Sequence, residues 1–339
     1  MKVLDQHVAE SFTAIHGDNT EVVPSIPDNT IDLTVTSPPF PAMYAYSNSP
    51  RDIGNTSGIG EMLEHFAYLV RDLLRATKLG RSCCIHLTNV PAFKHHDGYV
   101  GRFDFRGDVI RLFQREGWIY SAEVTIDKCP QVRAQRTKDR GLLFKSLATD
   151  ASLMSPVMPD YLLVFRKPGD NREPIRAGMS DKYGSGGGWF TQDQWIVAAQ
   201  AIWGFSRLDV DDLGLAYDTM SGCWYRKSPD NPDGIKETDV LNVAAARDSE
   251  DERHLCPLQL GVIRNCVRLW SAPGEVVLDP FGGIGSTAHE AIKLNRKGLI
   301  IELKESYYRQ SIRNCERAAA STGRQRTIFD TIDFNEEAA

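Results

Sequence analysis

Two short segments of the chain carry residues whose types and spacing can do chemistry. One is 36–40, Thr-Ser-Pro-Pro-Phe, and the other is the glycine-rich segment 279–287. In the first, the Ser37 hydroxyl and the Pro38 carbonyl are hydrogen-bond acceptors on a backbone that two prolines restrict. Phe40 supplies a flat face on which a ring can stack. These features suit a planar substrate that carries an amino group.

The two acceptors matter because an amino group on a nucleic-acid base is a poor nucleophile. Its nitrogen lone pair is delocalised into the ring. Acceptors for both N–H groups turn that lone pair toward a methyl donor, and Ser37 and Pro38 can be those acceptors. The alternative is a diproline turn after a strand, with a buried Phe40. Taken alone, the segment favours the turn.

The second segment is predicted to be a strand, a glycine loop and a helix. Such a unit lets a ligand approach the backbone at a helix N-terminus. Glu302 lies 20 residues after Gly282, at the end of the next predicted strand. A carboxylate at that place accepts hydrogen bonds from ribose hydroxyls. Residues 283–288 also satisfy the dinucleotide pattern G-x-G-x-x-A, so the loop predicts a nucleoside-containing cofactor without identifying it.

Asp279 distinguishes between the cofactors that such a loop could bind. An acidic residue at the strand end can hold an ammonium group. S-adenosylmethionine carries an α-amino group and a sulfonium, whereas NAD carries phosphates that a carboxylate repels. The residue therefore favours S-adenosylmethionine.

Strands alternate with helices around both segments. Apolar runs predict strands over 31–36, 82–87, 118–126, 161–165, 276–279 and 298–301. Helical spacing of apolar residues predicts helices over 60–78, 107–116, 191–203, 255–270 and 287–294. This alternation predicts a doubly wound α/β sheet. Residues 169–251, rich in Gly, Asp, Pro and Trp, are interpreted as an insertion.

Composition and cysteine usage are those of an ordinary globular protein. The chain has 339 residues, of which 42% are hydrophobic and 25% charged, and no apolar run is long enough to cross a bilayer. The N-terminal residues lack a signal-peptide core. Seven cysteines, an odd number without zinc-ligand spacing, favour reduced thiols, a cytoplasmic location and no metal.

Charge is unevenly distributed along the chain. The net charge is −6, which does not by itself indicate a nucleic-acid partner. The stretch from Asp127 to Lys145, however, contains six basic and two acidic residues, which gives it a local charge of +4. Such a stretch either contacts phosphates or forms an ordinary solvated face, and the sequence leaves both interpretations open.

Together, T-S-P-P-F and the later D-P-F-G-G-I-G-S-T resemble the motifs of the β-type DNA amino-methyltransferases. In that family the catalytic motif precedes the target-recognition region and the cofactor loop comes last. The resemblance covers residues 14–168 and 252–316, and hardly any of 169–251. It implies a seven-stranded, mostly parallel, doubly wound methyltransferase sheet with an inserted target-recognition region. It also implies S-adenosylmethionine as the methyl donor and double-stranded DNA as the partner.

The resemblance also implies the site residues and the domain organisation. The catalytic residues would be Ser37, Pro38, Pro39 and Phe40. The cofactor-binding residues would be Asp18, Thr36, Asp279, Phe281, Gly283, Gly285, Ser286, Thr287 and Glu302. The candidate DNA-binding residues are Lys128, Arg133, Arg136, Lys138, Arg140 and Lys145. The expected parts are a catalytic half over 1–168, the insertion over 169–251, a cofactor-binding half over 252–320 and a tail over 321–339.

Two departures from the family pattern bear on the target base. Phe40 stands where relatives usually carry Tyr, which keeps stacking but loses a phenol hydroxyl. Ser37 stands where relatives with adenine N6 as target carry Asp or Asn, so cytosine N4 is favoured and adenine N6 is the alternative.

Other functions and partners are still open at this point. They are a nucleotide-dependent oxidoreductase, a lapsed DNA-binding module, and the same chemistry on RNA or a free nucleotide. A homodimer and a separate restriction endonuclease are open as partners, and no membrane partner is expected.

Overall fold

The computed structural model describes most of the two predicted halves and part of the predicted insertion. The described residues are 3–40, 53–56, 58–92, 94–128, 130, 133–134, 140–178, 188–190, 192–203, 215–218, 223–226, 239–242 and 258–329.

Thirteen strands occur in the described residues. They are β1 (Val3–Val8), β2 (Phe12–Gly17), β3 (Ile31–Thr36), β4 (Thr77–Thr88), β5 (Val90–Ala92), β6 (Gly101–Phe103), β7 (Ile119–Ile126), β8 (Asp160–Arg166), β9 (Ile202–Trp203), β10 (Leu215–Asp218), β11 (Cys223–Arg226), β12 (Val276–Asp279) and β13 (Lys297–Glu302).

Nine α-helices have bounds within the described residues. They are α1 (Asn19–Val22), α2 (Ile59–Ala76), α3 (Lys94–Asp97), α4 (Phe105–Arg115), α5 (Phe144–Thr149), α6 (Gln192–Ala198), α7 (Leu260–Trp270), α8 (Ser286–Lys293) and α9 (Glu305–Phe329). None of the helices in the described part of the chain has the length and apolar character needed to span a membrane.

The central sheet has nine strands in the order β1-β2-β13-β12-β3-β4-β8-β7-β9. Strands β2, β13, β12, β3 and β4 are parallel to one another, whereas β1 is antiparallel to β2, and β8 is antiparallel to both β4 and β7. The predicted class, a doubly wound and mostly parallel α/β sheet, is confirmed. The edge strands, six-residue β1 and two-residue β9, extend the seven strands from β2 to β7.

This topology brings distant residues to one edge of the sheet. Strands β2, β13, β12, β3 and β4 all end there, and because β8 is antiparallel to β4, its first residue lies there too. We call this the carboxyl edge. In open α/β sheets, ligands bind at this edge.

Both faces of the sheet are covered, as a mostly parallel sheet requires. On β8, Leu163 and Phe165 pack in the apolar cluster that contains α2 and α4. The alternate residues Leu162 and Val164 pack in the cluster that contains α7. Because side chains alternate across a strand, a run such as Tyr-Leu-Leu-Val-Phe is apolar on both faces.

One predicted helix is wrong in part. The apolar spacing over 191–203 predicted a single helix, but α6 ends at Ala198 and Ile202–Trp203 form β9. Trp203 is buried beside β7, and its carbonyl accepts a hydrogen bond from the Asp127 amide at 2.9 Å. Pairing with the sheet therefore buries Trp203, the apolar residue that the helical spacing had assigned to a helix. The predicted start of the 255–270 helix lies partly outside the described residues, and α7 begins at Leu260.

A testable consequence concerns Gly298 on β13, which lets α8 lie close to the sheet. A Cβ there would lie 2.5 Å from the Cβ and 3.0 Å from the Cα of Ala288. Neither atom can rotate away, so Gly298→Ala should lower the free energy of unfolding by about 1–3 kcal/mol. Urea denaturation measures this change.

The matched control is Gly60→Ala in the first turn of α2, where a Cβ meets nothing within 4 Å. This substitution should raise the free energy of unfolding by about 0.4–1 kcal/mol, because alanine loses less entropy on folding. Equal stabilities of the two variants would contradict the packing argument.

Candidate active site at the carboxyl edge of the sheet

Asp279, the last residue of β12, joins the two motif segments. Its Oδ1 accepts hydrogen bonds from the Thr36 hydroxyl at 2.6 Å and from the Phe281 amide at 3.1 Å. Its Oδ2 accepts one from the Thr287 hydroxyl at 2.8 Å. The carboxyl group therefore connects β3, β12 and the first turn of α8.

Electrostatically, Asp279 is a buried acid with only neutral hydrogen-bond donors. Burial raises its pKa, and the hydrogen bonds from Thr36, Thr287 and the Phe281 amide oppose that rise without cancelling it. Among the described residues, no Lys, Arg or His forms an ion pair with Asp279. A ligand cation would therefore compensate the charge of this carboxylate.

In the glycine loop, residues 282–285, Gly282 and Gly285 pack tightly against neighbouring residues, whereas Gly283 has free space beside it. A Cβ at Gly282 would lie 2.1 Å from Cγ2 of Ile300, and a Cβ at Gly285 would lie 3.0 Å from Cβ of Ser311. At Gly283 the nearest atom would be a carbonyl oxygen at 4.0 Å. Gly283 and Gly285 also have φ angles of 51° and 84°, in the left-handed region that favours glycine. The backbone at Gly283 is therefore accessible to a ligand at the N-terminus of α8.

Glu302, the last residue of β13, lies against this loop. Its Oε2 accepts a hydrogen bond from the Gly283 amide at 2.7 Å, and its Oε1 accepts one from the Lys304 amide at 2.8 Å. Both oxygens of the carboxylate thus accept from backbone amides. The backbone thus holds the carboxylate in one orientation beside the glycine loop.

Asp18 also lies at the carboxyl edge, just after β2. Strand β2 pairs with β13, and His16 is opposite Glu302. Asp18 caps α1 by accepting from the Thr20 amide at 2.9 Å and the Thr20 hydroxyl at 2.7 Å. Next to it, the Asn19 side chain donates to the Pro280 carbonyl at 2.9 Å and so ties α1 to the glycine loop.

The remaining predicted cofactor residues, Phe281 and Ser286, also lie at or next to the glycine loop. Phe281 packs against the apolar cluster under α2, with its ring centroid 6.2 Å from that of Phe66. Ser286 is buried at the start of α8. The structure thus brings all nine predicted cofactor residues to the carboxyl ends of β2, β13, β12 and β3.

On the other side of β3, Ser37 begins a chain of polar contacts. Its hydroxyl lies 3.0 Å from Nδ1 of His86 on β4, and Nε2 of that ring lies 3.1 Å from Oδ2 of Asp160. The same Oδ2 lies 2.7 Å from Nζ of Lys128. His86, Asp160 and Lys128 are all buried. We call these four residues the Ser37–Lys128 chain.

Asp160 is held in its charged form. Burial by itself would raise the pKa of Asp160, but Lys128, His86 and Arg133 outweigh that effect and hold the pKa well below its usual range. Lys128 is therefore a buried ion-pair partner rather than an exposed phosphate contact, contrary to the expectation from the local charge count.

The other predicted DNA-binding residues differ in their surroundings. The Arg133 guanidinium lies 4.0 Å from Asp160, whereas Lys145 is exposed on α5. For Arg140 only the backbone is described, and Arg136 and Lys138 lie outside the described residues.

The sequence analysis missed His86 and Asp160 as site residues. Each is a charged or titratable residue in an otherwise apolar run, Cys-Cys-Ile-His-Leu for His86 and Asp-Tyr-Leu-Leu-Val for Asp160. Polar residues in buried strands are uncommon, and that was the signal available. Of the predicted catalytic residues, Pro38 is buried and Phe40 packs at the margin of the cluster under α2.

The chain is similar to known proteins in sequence and in fold. A family model described as DNA methylase matches residues 31–313. The chain is 23% identical over 313 residues to the Type II methyltransferase M.ScaI of Streptomyces caespitosus, covering 90% of this chain and 82% of that protein.

Two solved structures have the same fold. TTHA0409 of Thermus thermophilus, described as a DNA modification methylase and solved with S-adenosyl-L-methionine, has a TM-score of 0.58 and 19% identity. That match covers 90% of this chain and 93% of that one. PvuII DNA methyltransferase, described as cytosine-N4-specific, has a TM-score of 0.56 and 16% identity over 95% of this chain and 96% of that one.

The raised pKa of Asp279 predicts how stability depends on pH. The folded protein binds this proton more tightly than the unfolded chain, in which an Asp pKa is about 3.9. The contribution of protonated Asp279 to the free energy of unfolding is therefore full below about pH 4. It is lost as the pH rises through the pKa that Asp279 has in the folded protein. At neutral pH the ionised carboxylate costs stability, so Asp279→Asn should raise the free energy of unfolding of the ligand-free protein. Urea denaturation at pH 4 and pH 8 should show this gain only at pH 8.

Asp150 provides a control of opposite sign. Hydrogen bonds from the Ser152 hydroxyl and amide hold its pKa below the ordinary value, so Asp150→Asn should lose stability at pH 8 relative to pH 4. A loss at pH 8 for Asp279→Asn as well would show that its burial is not unfavourable.

Proposed function

The chain belongs to the DNA methylase family, whose model matches residues 31–313, and we propose that it methylates cytosine at N4. It is an S-adenosylmethionine-dependent DNA methyltransferase that acts on an exocyclic amino group. The proposal concerns the base, the site residues and how the base reaches them.

One observation carries the assignment of the site. The Thr36 hydroxyl donates to Asp279 at 2.6 Å, which holds the end of β3 beside the end of β12. The acceptors Ser37 and Pro38 therefore stand next to the carboxylate proposed to bind the cofactor. Fixing two reactants side by side can replace much of the entropy cost of a bimolecular reaction.

The described residues fit S-adenosylmethionine. Asp279, which has no cationic partner among the described residues, suits the α-ammonium group. Glu302, held by the Gly283 amide, suits the ribose hydroxyls, and the open backbone at Gly283 leaves room for them. When bound, S-adenosylmethionine supplies the methyl group of its sulfonium. The rest of the cofactor leaves as a neutral thioether.

The protein's own groups then act on the base. Ser37 and the Pro38 carbonyl accept hydrogen bonds from the amino group, so that its lone pair points toward the methyl carbon. Phe40 offers a face for stacking. An amino group inside a duplex cannot reach this edge, so the base must leave the stack.

Ser37 is the reason for proposing cytosine N4. In the family that the sequence resembles, Ser at this position goes mostly with cytosine N4, and Asp or Asn goes with adenine N6. PvuII DNA methyltransferase, described as cytosine-N4-specific, shares the fold, but the assignment rests on Ser37. Adenine N6 is the second candidate, since the geometry of the two acceptors would serve either amino group.

Other expectations remain predictions. Arg133, Arg136, Lys138, Arg140 and Lys145 are proposed to contact DNA phosphates, and residues 169–251 are proposed to read the target sequence. A homodimer and a separate restriction endonuclease are also predictions. A nucleotide-dependent oxidoreductase does not fit, because Asp279 would repel a dinucleotide phosphate and the family is that of DNA methylases.

The target base can be identified directly. Purified protein, S-adenosylmethionine and unmethylated DNA are incubated, and the DNA is digested to nucleosides for mass spectrometry. N4-methyldeoxycytidine is expected. Ser37→Ala should lower turnover by about 100-fold or more, because one acceptor of the amino group is lost, and should leave cofactor affinity nearly unchanged. N6-methyldeoxyadenosine would overturn the base, and loss of cofactor binding in Ser37→Ala would contradict the role of Ser37.

The cofactor site is tested by Glu302→Ala. The dissociation constant of S-adenosylmethionine, measured by calorimetry, should rise about tenfold or more because charge-assisted hydrogen bonds to the ribose are lost. The matched control is Glu305→Ala at the start of α9, whose carboxylate pairs with exposed Arg309. An unchanged constant in Glu302→Ala, or an equal rise in both variants, would contradict the ribose assignment.

A further inference from the structure

The Ser37–Lys128 chain contains a buried imidazole that the two motif segments do not account for. His86 uses both ring nitrogens, Nδ1 toward the Ser37 hydroxyl at 3.0 Å and Nε2 toward Asp160 at 3.1 Å. Ser37 is partly exposed, whereas His86 and Asp160 are buried. The chain thus runs from the candidate active site into the protein interior.

The partners of the ring determine which nitrogen carries hydrogen. An ionised carboxylate can only accept hydrogen bonds, so Nε2 facing Asp160 carries the proton. In a neutral ring Nδ1 is then an acceptor, and the Ser37 hydroxyl must donate to it. Lys128, 2.7 Å from Asp160, already supplies the positive charge that balances this carboxylate. A neutral imidazole therefore satisfies every partner that the described residues offer it.

This arrangement determines the direction in which the Ser37 hydroxyl donates its proton. Its single proton is directed toward His86, so the lone pairs of Oγ remain for a substrate. Without such a partner the hydroxyl could rotate and present its proton to the amino group, where it would compete for the lone pair that must attack.

We propose that His86 is the positioning residue that makes Ser37 a hydrogen-bond acceptor for the target amino group, and that it takes up the proton released on methylation. The proposal rests on the proposed function only in that the substrate is a base amino group, of cytosine or of adenine.

The nitrogen lone pair forms the new bond to the methyl carbon as the carbon–sulfur electron pair returns to sulfur, which becomes neutral. The nitrogen then carries one proton too many and passes it to Ser37 Oγ. The proton of the Ser37 hydroxyl moves to Nδ1 of His86, and the resulting imidazolium faces the Asp160 carboxylate. Water removes this proton before the next turnover.

A purely structural role for His86 makes a different prediction. In that case its purpose is to satisfy buried Asp160, and the nitrogen that matters is Nε2. In the present proposal the nitrogen that matters is Nδ1. Two substitutions separate these accounts, because an Asn side chain places its terminal polar atoms near the position of Nδ1 and a Gln side chain places them near that of Nε2.

The experiment compares His86→Asn with His86→Gln, and includes exposed His65→Gln on α2 as a matched control. Transfer of labelled methyl groups to DNA gives kcat and KM, and calorimetry gives cofactor affinity. His86→Gln keeps a group facing Asp160 but loses the acceptor for Ser37, so kcat should fall about 100-fold or more. His86→Asn keeps an acceptor oxygen for Ser37 but cannot take up the proton, so its kcat should fall only about tenfold. KM for DNA and cofactor affinity should change by less than about threefold in both.

Two outcomes would overturn the proposal: His86→Gln as active as His86→Asn or more so, or both variants with wild-type kcat. The assay of labelled methyl transfer responds to methylation of cytosine and of adenine alike. Detection of methyladenine from the wild-type protein would thus overturn the proposed base while leaving this comparison decisive.

A second measurement is made on the wild-type protein and uses Ser37→Ala only to assign the signals of His86. In wild-type protein labelled with ¹⁵N-histidine, long-range proton–nitrogen correlations distinguish protonated from unprotonated ring nitrogens. The ring whose signals shift in Ser37→Ala should have Nε2 protonated and Nδ1 unprotonated. A proton on Nδ1 of that ring would overturn the proposal.

Discussion

The hydrogen bond from the Thr36 hydroxyl to buried Asp279 is the interaction on which the candidate active site depends. The two residues are 243 positions apart in the chain, yet they lie 2.6 Å from each other at the ends of adjacent strands. Thr287 completes the arrangement by donating to the other carboxylate oxygen from α8. One side chain thereby sets the distance between the segment proposed to hold the base and the loop proposed to hold the cofactor.

The central position of β3 in the sheet gives this segment two neighbours with different tasks. Strand β3 lies between β12 and β4. Thr36 reaches toward β12 and Ser37 reaches toward His86 on β4. Because β8 runs antiparallel to β4, its first residue, Asp160, also lies at the carboxyl edge. A mixed sheet therefore supplies a buried charged group that the parallel strands alone would not bring there.

The two buried carboxylates of the site are in opposite electrostatic states. Asp160 has Lys128 at 2.7 Å, and its pKa is held low despite burial. Asp279 has only neutral donors, and burial raises its pKa. A carboxylate that is compensated within the protein serves as a fixed partner for other side chains. One that is uncompensated is stabilised by a cation from outside, which links the affinity of the site to the cost of keeping that charge buried.

The sequence by itself determined the fold class and the positions of the glycine loop, with Asp279 and Glu302, and of the diproline segment that begins at Ser37. These features are local, because strand periodicity, glycine spacing and a diproline are each encoded within a few residues. Only the tertiary structure decided that Lys128 is buried, that Trp203 belongs to a strand, and that His86 stands between Ser37 and Asp160. The physical reason is that burial and pairing depend on which strands become neighbours. A count of charges along the chain treats every lysine as exposed, and no spacing in the sequence connects residues 37, 86, 128 and 160.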